Sequence, residues 1–268
     1  VTRRWQSFTS INNFLVTFGS GENEGAVVKL NADVGEGFGA WSMGDDAALM
    51  PHIDMANVAC GGHASDPLTM QATVRLAKQH GVVVGAHPSY PDLLGFGRRP
   101  LPMPHSEAAL HMLAQIGALQ AIASAEGVDI EYVKPHGALY NCMMDDLELM
   151  AELMKSLAES QFDVPLMILG TADHEAHARM ASEIGVQLLF EAFADRRYTP
   201  EGRLQSRAIE GSVYHESQQI LDQAERIIGD GSIITSDGSV IRIPSDALCV
   251  HGDNEESINT VKEFRKFL

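Results

Sequence analysis

The sequence predicts an α/β fold of the TIM-like kind, a parallel sheet of about seven strands rolled into a closed or nearly closed barrel. Three observations carry that expectation. Short apolar runs alternate with stretches of helical period from Val27 to Phe264. Most of those runs end in an ionisable side chain followed by glycine, proline or further polar residues: Asp33, His63, His87, Lys134 with His136, Glu191 with Asp195, and His251 with Asp253. No linker interrupts the alternation, so residues 26–268 read as one domain, and residues 1–25, rich in glycine from Gly19 to Gly25, as a flexible extension.

Taken in order, Val27–Asn31 reads as the first strand, ending at Asp33, and Ile53–Cys60 as the second, ending in Gly61-Gly62-His63. The next helix is bounded at both ends: Ser65 or Asp66 can cap it, Pro67 suits its first turn, and Gly81 can end it. Val82–Val84 is the third strand, leading into Gly85-Ala86-His87-Pro88. A long aperiodic loop follows as far as Pro100, of a length common in lids and binding loops, where Arg98 and Arg99 offer forked donors to an anion.

Leu110, Leu113, Ala114, Gly117 and Ala121 mark a helical face before the strand that ends at Lys134, and Leu147, Met150, Ala151 and Met154 mark one after it. Pro135-His136-Gly137 opens a loop. Pro165–Leu169 and Gln187–Glu191 are the fifth and sixth strands, flanking a helix with Ala176, Met180 and Ile184 on one side. Ile220, Leu221, Ala224, Ile227 and Ile228 mark a further helix. Ser232–Thr235 and Ser239–Arg242 around Asp237-Gly238 form an inserted hairpin, Ala247–His251 the last strand, and Ile258, Val261 and Phe264 a closing helix.

Composition narrows the function. With 36 acidic against 19 basic residues, the formal charge of −17 argues against nucleic acid or an anionic membrane as a partner, so an anionic substrate needs a local cationic pocket. Cys60, Cys142 and Cys249 lack disulfide or zinc-motif spacing, which fits a reducing, cytoplasmic setting. Phe14–Phe18 after Arg3 and Arg4 has a faint signal-peptide character, broken by Ser10, Asn12 and Asn13. No other run approaches the length that spans a bilayer. Whether the chain forms a homo-oligomer stays open.

In a parallel barrel the strand-to-helix loops open on one face, so the strand-end residues meet at one mouth. Carboxylates crowded there need compensating charge from Lys134, Arg196, Arg197 or Arg207, or from a divalent metal. Asp33, His63 and His87 would leave open positions on zinc or a similar ion, while histidines bonded to carboxylates without metal explain the same residues. Gly35-Glu36-Gly37-Phe38-Gly39-Ala40 matches a loose dinucleotide fingerprint, but Asp33 and Glu36 would repel a phosphate there and no clear helix follows. A serine-nucleophile elbow is absent.

Several long segments resemble the LamB/YcsF family, the A subunit of bacterial ATP-dependent 5-oxoprolinase: Leu30–Gly39, Asn57–Pro67, Gly85–Asp92, Lys134–Asn141, Phe193–Arg196 and Val250–Asp253. The departures are Ala32, where the family usually has cysteine, and Gly62, where it usually has phenylalanine. The resemblance implies a seven-stranded barrel like those of glycoside hydrolases and deacetylases. It also implies opening of 5-oxoproline to L-glutamate with ATP, together with subunits B and C. On that basis Asp33, His63, Lys134, His136, Glu191 and Asp195 are the expected catalytic residues. Glu36, Asn57, His87, Arg98, Arg196, Arg207, His251 and Asp253 are the expected substrate-binding ones. The alternatives are a metal-dependent deacetylase acting alone and a non-catalytic subunit that only binds substrate.

Overall fold

A computed structural model of the chain describes residues 28–207, 209–250 and 255–265. The expected extension at residues 1–25, and with it His251 and Asp253, lies outside the described residues.

The order of elements is β1 (Lys29–Val34), a short helix α1 (Asp46–Leu49) with one 3-10 turn, β2 (Met55–Ala59), α2 (Pro67–His80), β3 (Val83–His87), α3 (His105–Ala125), β4 (Ile130–Val133), α4 (Gly137–Asp145), α5 (Leu147–Glu159), β5 (Leu166–Leu169), α6 (His174–Ile184) and β6 (Leu188–Phe193). There follow α7 (Ser217–Asp230), β7 (Ser232–Ile234), β8 (Val240–Arg242), β9 (Ala247–Val250) and α8 (Glu255–Phe264). Seven strands close a parallel barrel in the order β1-β2-β3-β4-β5-β6-β9, and β7-β8 form a separate antiparallel pair, as the sequence predicts. Closure runs through β9, where Ala247 pairs with Lys29 on one side and Glu191 on the other.

Alternation along the strands sorts the side chains. Leu30, Ala32 and Val34, Ala56 and Val58, Val84 and Ala86, and Ala192 face outward into the apolar layer shared with the helices. The opposite parity points inward, where Met55, Tyr132, Met167 and Ala247 form a second, enclosed cluster that floors the barrel. Gly85 makes room for that floor, since a Cβ on it would lie 2.2 Å from the Tyr132 ring. Above the floor the inward positions become polar: Asn31, Asn57, Lys134 and Glu191 are all buried.

The caps of α2 follow the sequence: Asp66 accepts from the Leu68 and Thr69 amides, Pro67 opens the helix and Gly81 closes it in the left-handed conformation. Such an N-cap contributes about 1 kcal/mol. Four helical expectations need correction. Residues 137–145 are helical rather than a loop. The buried face of α3 is Ala108, Ala109, Met112, Gln115, Ile116, Leu119 and Ala123, leaving Leu110 66% exposed, because a helix apolar around most of its circumference gives periodicity no face to select. In α5 the buried set is Leu149, Met150, Leu153, Met154 and Leu157, with Leu147 exposed. In α6 His177 and Ala181 are buried while Ala176 is exposed. The 21-residue α3 also has the length and apolar composition to cross a bilayer, against the expectation that no run does; its buried face packs in the barrel's helical layer.

Candidate active site at the barrel mouth

The strand pattern places Asn31 and Asp33 on β1, Asn57 on β2 and His87 on β3 with neighbouring registers: Asp33 pairs with Asn57, and Ala59 with His87. β4 ends at Val133, and Lys134 and His136 follow it. The Lys134 ammonium lies 3.0 Å from Asp33 Oδ1 and 2.7 Å from Glu191 Oε1, and it donates to Asn31 Oδ1 at 3.2 Å. Its three donors go to Asp33 Oδ1, Asn31 Oδ1 and, at 3.4 Å, Cys249 Sγ, with Glu191 Oε1 beside it as an ion-pair partner. Asn57 Nδ2 donates to Asn31 Oδ1 (2.8 Å) and to Asp33 Oδ1 (2.7 Å), while its own oxygen accepts from the Tyr132 hydroxyl at 2.6 Å. The Tyr140 hydroxyl, on α4, donates to Glu191 Oε2 at 3.1 Å.

Burial alone would raise the Asp33 carboxyl, but His87 and Lys134 outweigh it and hold the group well below the usual carboxylate range. Burial would likewise depress the Lys134 ammonium, yet the charges of Asp33 and Glu191 keep it well above its ordinary value. Both groups are therefore ionised at neutral pH. Burial pushes the Tyr140 hydroxyl well up, with the Glu191 charge adding to it, so this phenol stays a donor.

Beside this charge cluster sit three imidazoles. His63 and His136 stack in parallel with ring centres 3.6 Å apart, and His87 meets His136 edge to face at 4.8 Å. Glu36 Oε1 lies 3.0 Å from His63 Nε2 and 3.5 Å from His136 Nδ1; Asp33 Oδ2 lies 3.3 Å from His87 Nε2. Burial, and after it the neighbouring imidazoles, hold His63 and His136 well below the ordinary imidazole value, so both are neutral. Among the described residues Glu36, His63, His87 and His136 form a group able to hold a metal ion. The sequence alone pairs His63 and His87 with Asp33 instead.

The 88–104 loop roofs this cluster. Gly97 adopts φ +61°, and a Cβ there would lie 2.8 Å from the His63 side chain and 2.9 Å from the His136 ring; its carbonyl accepts from Ala138 N at 2.8 Å. The loop is held by Asp92, which takes the Gly95 amide at 2.9 Å and both the Nε and Nη2 of Arg99. Arg99 is thus a structural partner rather than an anion clamp. Arg98 is exposed, with its guanidinium 5.0 Å from the Phe96 ring centre, and its charge helps to lower His63.

The structure brings Asp33, Glu36, Asn57, His63, His87, Lys134, His136 and Glu191 into one contiguous site. Asp195, Arg196 and Arg207 stand on the loop after β6: Arg196 is buried and donates to the Gln205 carbonyl at 2.7 Å, and Arg207 is exposed. Burial and the nearby Arg207 charge lower Arg196. Sequence reasoning missed Asn31, Tyr132, Tyr140 and Gln223. Gln223, on α7, pins the exit of β6 through bonds to the carbonyls of Phe193, Ala194 and Arg196. The strand alternation that selects Asp33 also selects Asn31, two residues earlier; Tyr140 and Gln223 had no comparable signal. At Gly62 the space of a side chain is taken by Gln115, whose Oε1 would lie 2.2 Å from a Cβ there.

The profile of the LamB/YcsF family matches residues 28–268, which span the barrel and every strand-end residue described above. The chain belongs to the LamB/YcsF family. Two relatives illustrate the similarity. A 5-oxoprolinase A subunit of Pseudomonas aeruginosa is 48% identical over 244 residues, 91% of this chain and 97% of that protein. The 5-oxoprolinase A subunit of Chromohalobacter salexigens is 50% identical over 236 residues, 88% of this chain and 94% of that protein. The crystal structure of a lactam utilization protein from Thermus thermophilus matches with a TM-score of 0.83 and 37% identity, covering 90% of this chain and 96% of that one.

Proposed function

We propose that this chain is the A subunit of a 5-oxoprolinase, which opens the cyclic amide of 5-oxoproline to L-glutamate with ATP, in the cytoplasm, together with subunits B and C. Its family and the names of its relatives support the reaction; the geometry supports the part played by this chain. The observation that carries it is Asp33, a carboxylate paired at 3.0 Å with the buried Lys134 ammonium next to two neutral imidazoles in a barrel mouth.

A lactam is a stabilised amide, so its carbonyl needs activation before water attacks, and transfer of the terminal phosphoryl group of ATP to the amide oxygen provides it. Asp33 then accepts a proton from the attacking water. The neutral imidazole of His63 relays that proton to the departing ring nitrogen, which becomes the amine of glutamate; the carbon is left as an acyl phosphate, whose hydrolysis by a second water releases phosphate and the side-chain carboxylate. Lys134 is saturated by its own acceptors, so its part is to keep Asp33 and Glu191 charged and fixed. Arg98, Arg196 and Arg207 are the cations offered to the substrate carboxylate or to the phosphoryl group.

The test is glutamate release from 5-oxoproline and ATP by this chain alone, by subunits B and C alone, and by the mixture. Turnover in the mixture only, lost by at least about 100-fold in Asp33→Asn, is the expected result for a positioned base. Glutamate release by the mixture that survives Asp33→Asn refutes the role of Asp33. No glutamate from the mixture, when the same B and C act with another A subunit, refutes the reading.

The group Glu36, His63, His87 and His136 favours a second reading, a metal-dependent amide hydrolase that acts without partners. Partner-independent turnover of an amide, abolished by a chelator, is its distinguishing result.

A further inference from the structure

We propose that the histidine cluster is a site for one divalent first-row transition ion such as zinc, with His87 Nε2, His136 Nδ1 and Glu36 as ligands, His63 as the positioning residue behind Glu36, and Asp33 outside the ligand set.

The argument begins with protons. His87 Nδ1 lies 2.7 Å from the Lys134 carbonyl and His136 Nε2 lies 3.0 Å from the Phe96 carbonyl. A carbonyl oxygen only accepts, so each of these nitrogens carries the hydrogen. In a neutral ring the other nitrogen is then bare. When both rings are neutral, the nitrogens left bare are His87 Nε2 and His136 Nδ1, which face each other at 2.9 Å, and His136 Nδ1 also faces Glu36 Oε1 at 3.5 Å. Lone pairs turned on one another repel unless something positive lies among them.

A single proton does not resolve the arrangement. Placed on His87 Nε2 it leaves the His136 lone pair turned toward the Glu36 carboxylate, and placed on His136 Nδ1 it leaves the His87 lone pair turned toward Asp33 Oδ2 at 3.3 Å. A metal ion accepts all three electron pairs at once. The spacing suits it: ligand atoms at about 2.0–2.2 Å from an ion lie roughly 3.0 Å apart at right angles and roughly 3.4 Å apart in a tetrahedron. The observed separations of 2.9 and 3.5 Å bracket those values. Metal-ligating imidazoles ordinarily donate their second N–H to a carbonyl or carboxylate, the situation of both His87 and His136 here.

His63 is different. Its ring is stacked on His136 with centres 3.6 Å apart at an interplanar angle of 2°, so the in-plane lone pairs of the two rings lie in separate parallel planes and do not meet at one ion. Its Nε2 lies 3.0 Å from Glu36 Oε1, where a proton on it orients the carboxylate. Its Nδ1 is buried without a hydrogen-bond partner, a cost that falls less heavily on a bare nitrogen than on an N–H. Asp33 Oδ1 is engaged by Lys134 and Asn57 and the residue stands outside the four-residue group, its Oδ2 3.3 Å from His87 Nε2, so it flanks the ion and leaves the remaining positions open. Two imidazoles and one carboxylate with open positions are the donor set of catalytic rather than structural sites.

This inference deepens the reading above but does not rest on it, because binding is measured on the chain alone, without ATP, lactam or partners. The chain is stripped with a chelator, shown to be folded by circular dichroism, and titrated with zinc chloride in a calorimeter, and with cobalt chloride followed by visible absorption. The expected result is one equivalent of zinc or cobalt, with stoichiometry kept in Asp33→Asn. His63→Gln weakens binding by about 10–100-fold, the usual effect of losing a ligand's supporting partner. His87→Gln and His136→Gln abolish it. If either variant unfolds, nitrogen-15 spectra of the histidines in the wild-type chain decide the matter. Zinc should shift His87 Nε2 and His136 Nδ1 and leave the His63 ring in place. Absence of stoichiometric binding to the folded chain, or ligand shifts centred on His63, overturns the proposal.

Discussion

Replacing Lys134 by methionine removes a buried cation but keeps much of its length, and it leaves Asp33 and Glu191 facing the same small space without compensation. Lys134 is 3% exposed, and its ammonium lies within 3.0 Å of a carboxylate oxygen on each side. Breaking a buried pair by removing one member costs about 3–5 kcal/mol, and in a domain of this size each kcal/mol lowers the melting temperature by about 2–4 °C. The expected loss is therefore roughly 6–20 °C near pH 8. The pH dependence is the sharper signature. In the wild-type chain Asp33 is depressed, so its stabilisation is present above the unfolded value of about 4 and is lost as pH falls through the folded one. In the variant, burial without the cation raises a carboxyl above its unfolded value. The penalty is then full at high pH and shrinks as pH falls, by about 1.4 kcal/mol per unit while the folded group holds a proton that the unfolded one has released. Urea unfolding of both proteins at about pH 8 and about pH 5.5 reads the difference directly. The gap should narrow in acid, and Lys134→Met/Glu191→Gln should recover part of it at the higher pH. A variant within about 0.5 kcal/mol of wild type, or a gap indifferent to pH, refutes the account of Lys134 as the charge that holds the mouth together.

Two further outcomes follow. Gly97→Ala and Gly39→Ala both place a side chain on a left-handed backbone, at φ +61° and +58°, but only the first meets the histidines; nothing lies within 4 Å at the second. Gly39→Ala should lose only the conformational cost, roughly 1–2 kcal/mol, with activity kept. Gly97→Ala should lose more stability and most of the activity of the reconstituted enzyme; equal losses in the two variants contradict the roof described for the loop. Burial pushes the Cys60 thiol up to about 12 and Cys249 well up, while Cys142 is only half-buried. An aromatic disulfide reagent at about pH 8 should thus modify at most one thiol in the native chain and three after denaturation, and rapid labelling of two native thiols argues against this packing.

The barrel was legible because the strands are short and apolar and most of them are closed by an ionisable residue that serves the site. The helix caps at Asp66, Pro67 and Gly81, and the hairpin around Asp237-Gly238, were legible because their chemistry is local. The face of α3 was not, since that helix is apolar well beyond the side it buries, and in α5 the misleading residue was Leu147, apolar but exposed in the first turn. The helix α4 was hidden by Pro135 and Gly137, which punctuate a sequence like a loop although here they only precede and begin a helix. Within the site, ionisable strand ends could be read one by one, but the partners that give them roles could not. Whether an arginine grips a ligand or a loop is decided by Asp92, seven residues before Arg99, and Tyr140 reaches Glu191 across 51 positions of sequence. Such pairings belong to the tertiary fold.

The floor made by Met55, Tyr132, Met167 and Ala247 has a kinetic consequence. Tyr132 is fully buried and its ring fills the space beside Gly85, so the polar chamber has no back door among the described residues. Whatever reacts there arrives and departs by the same threshold. The product must vacate before the next molecule can arrive, and an accumulating product therefore competes with substrate for a single vestibule.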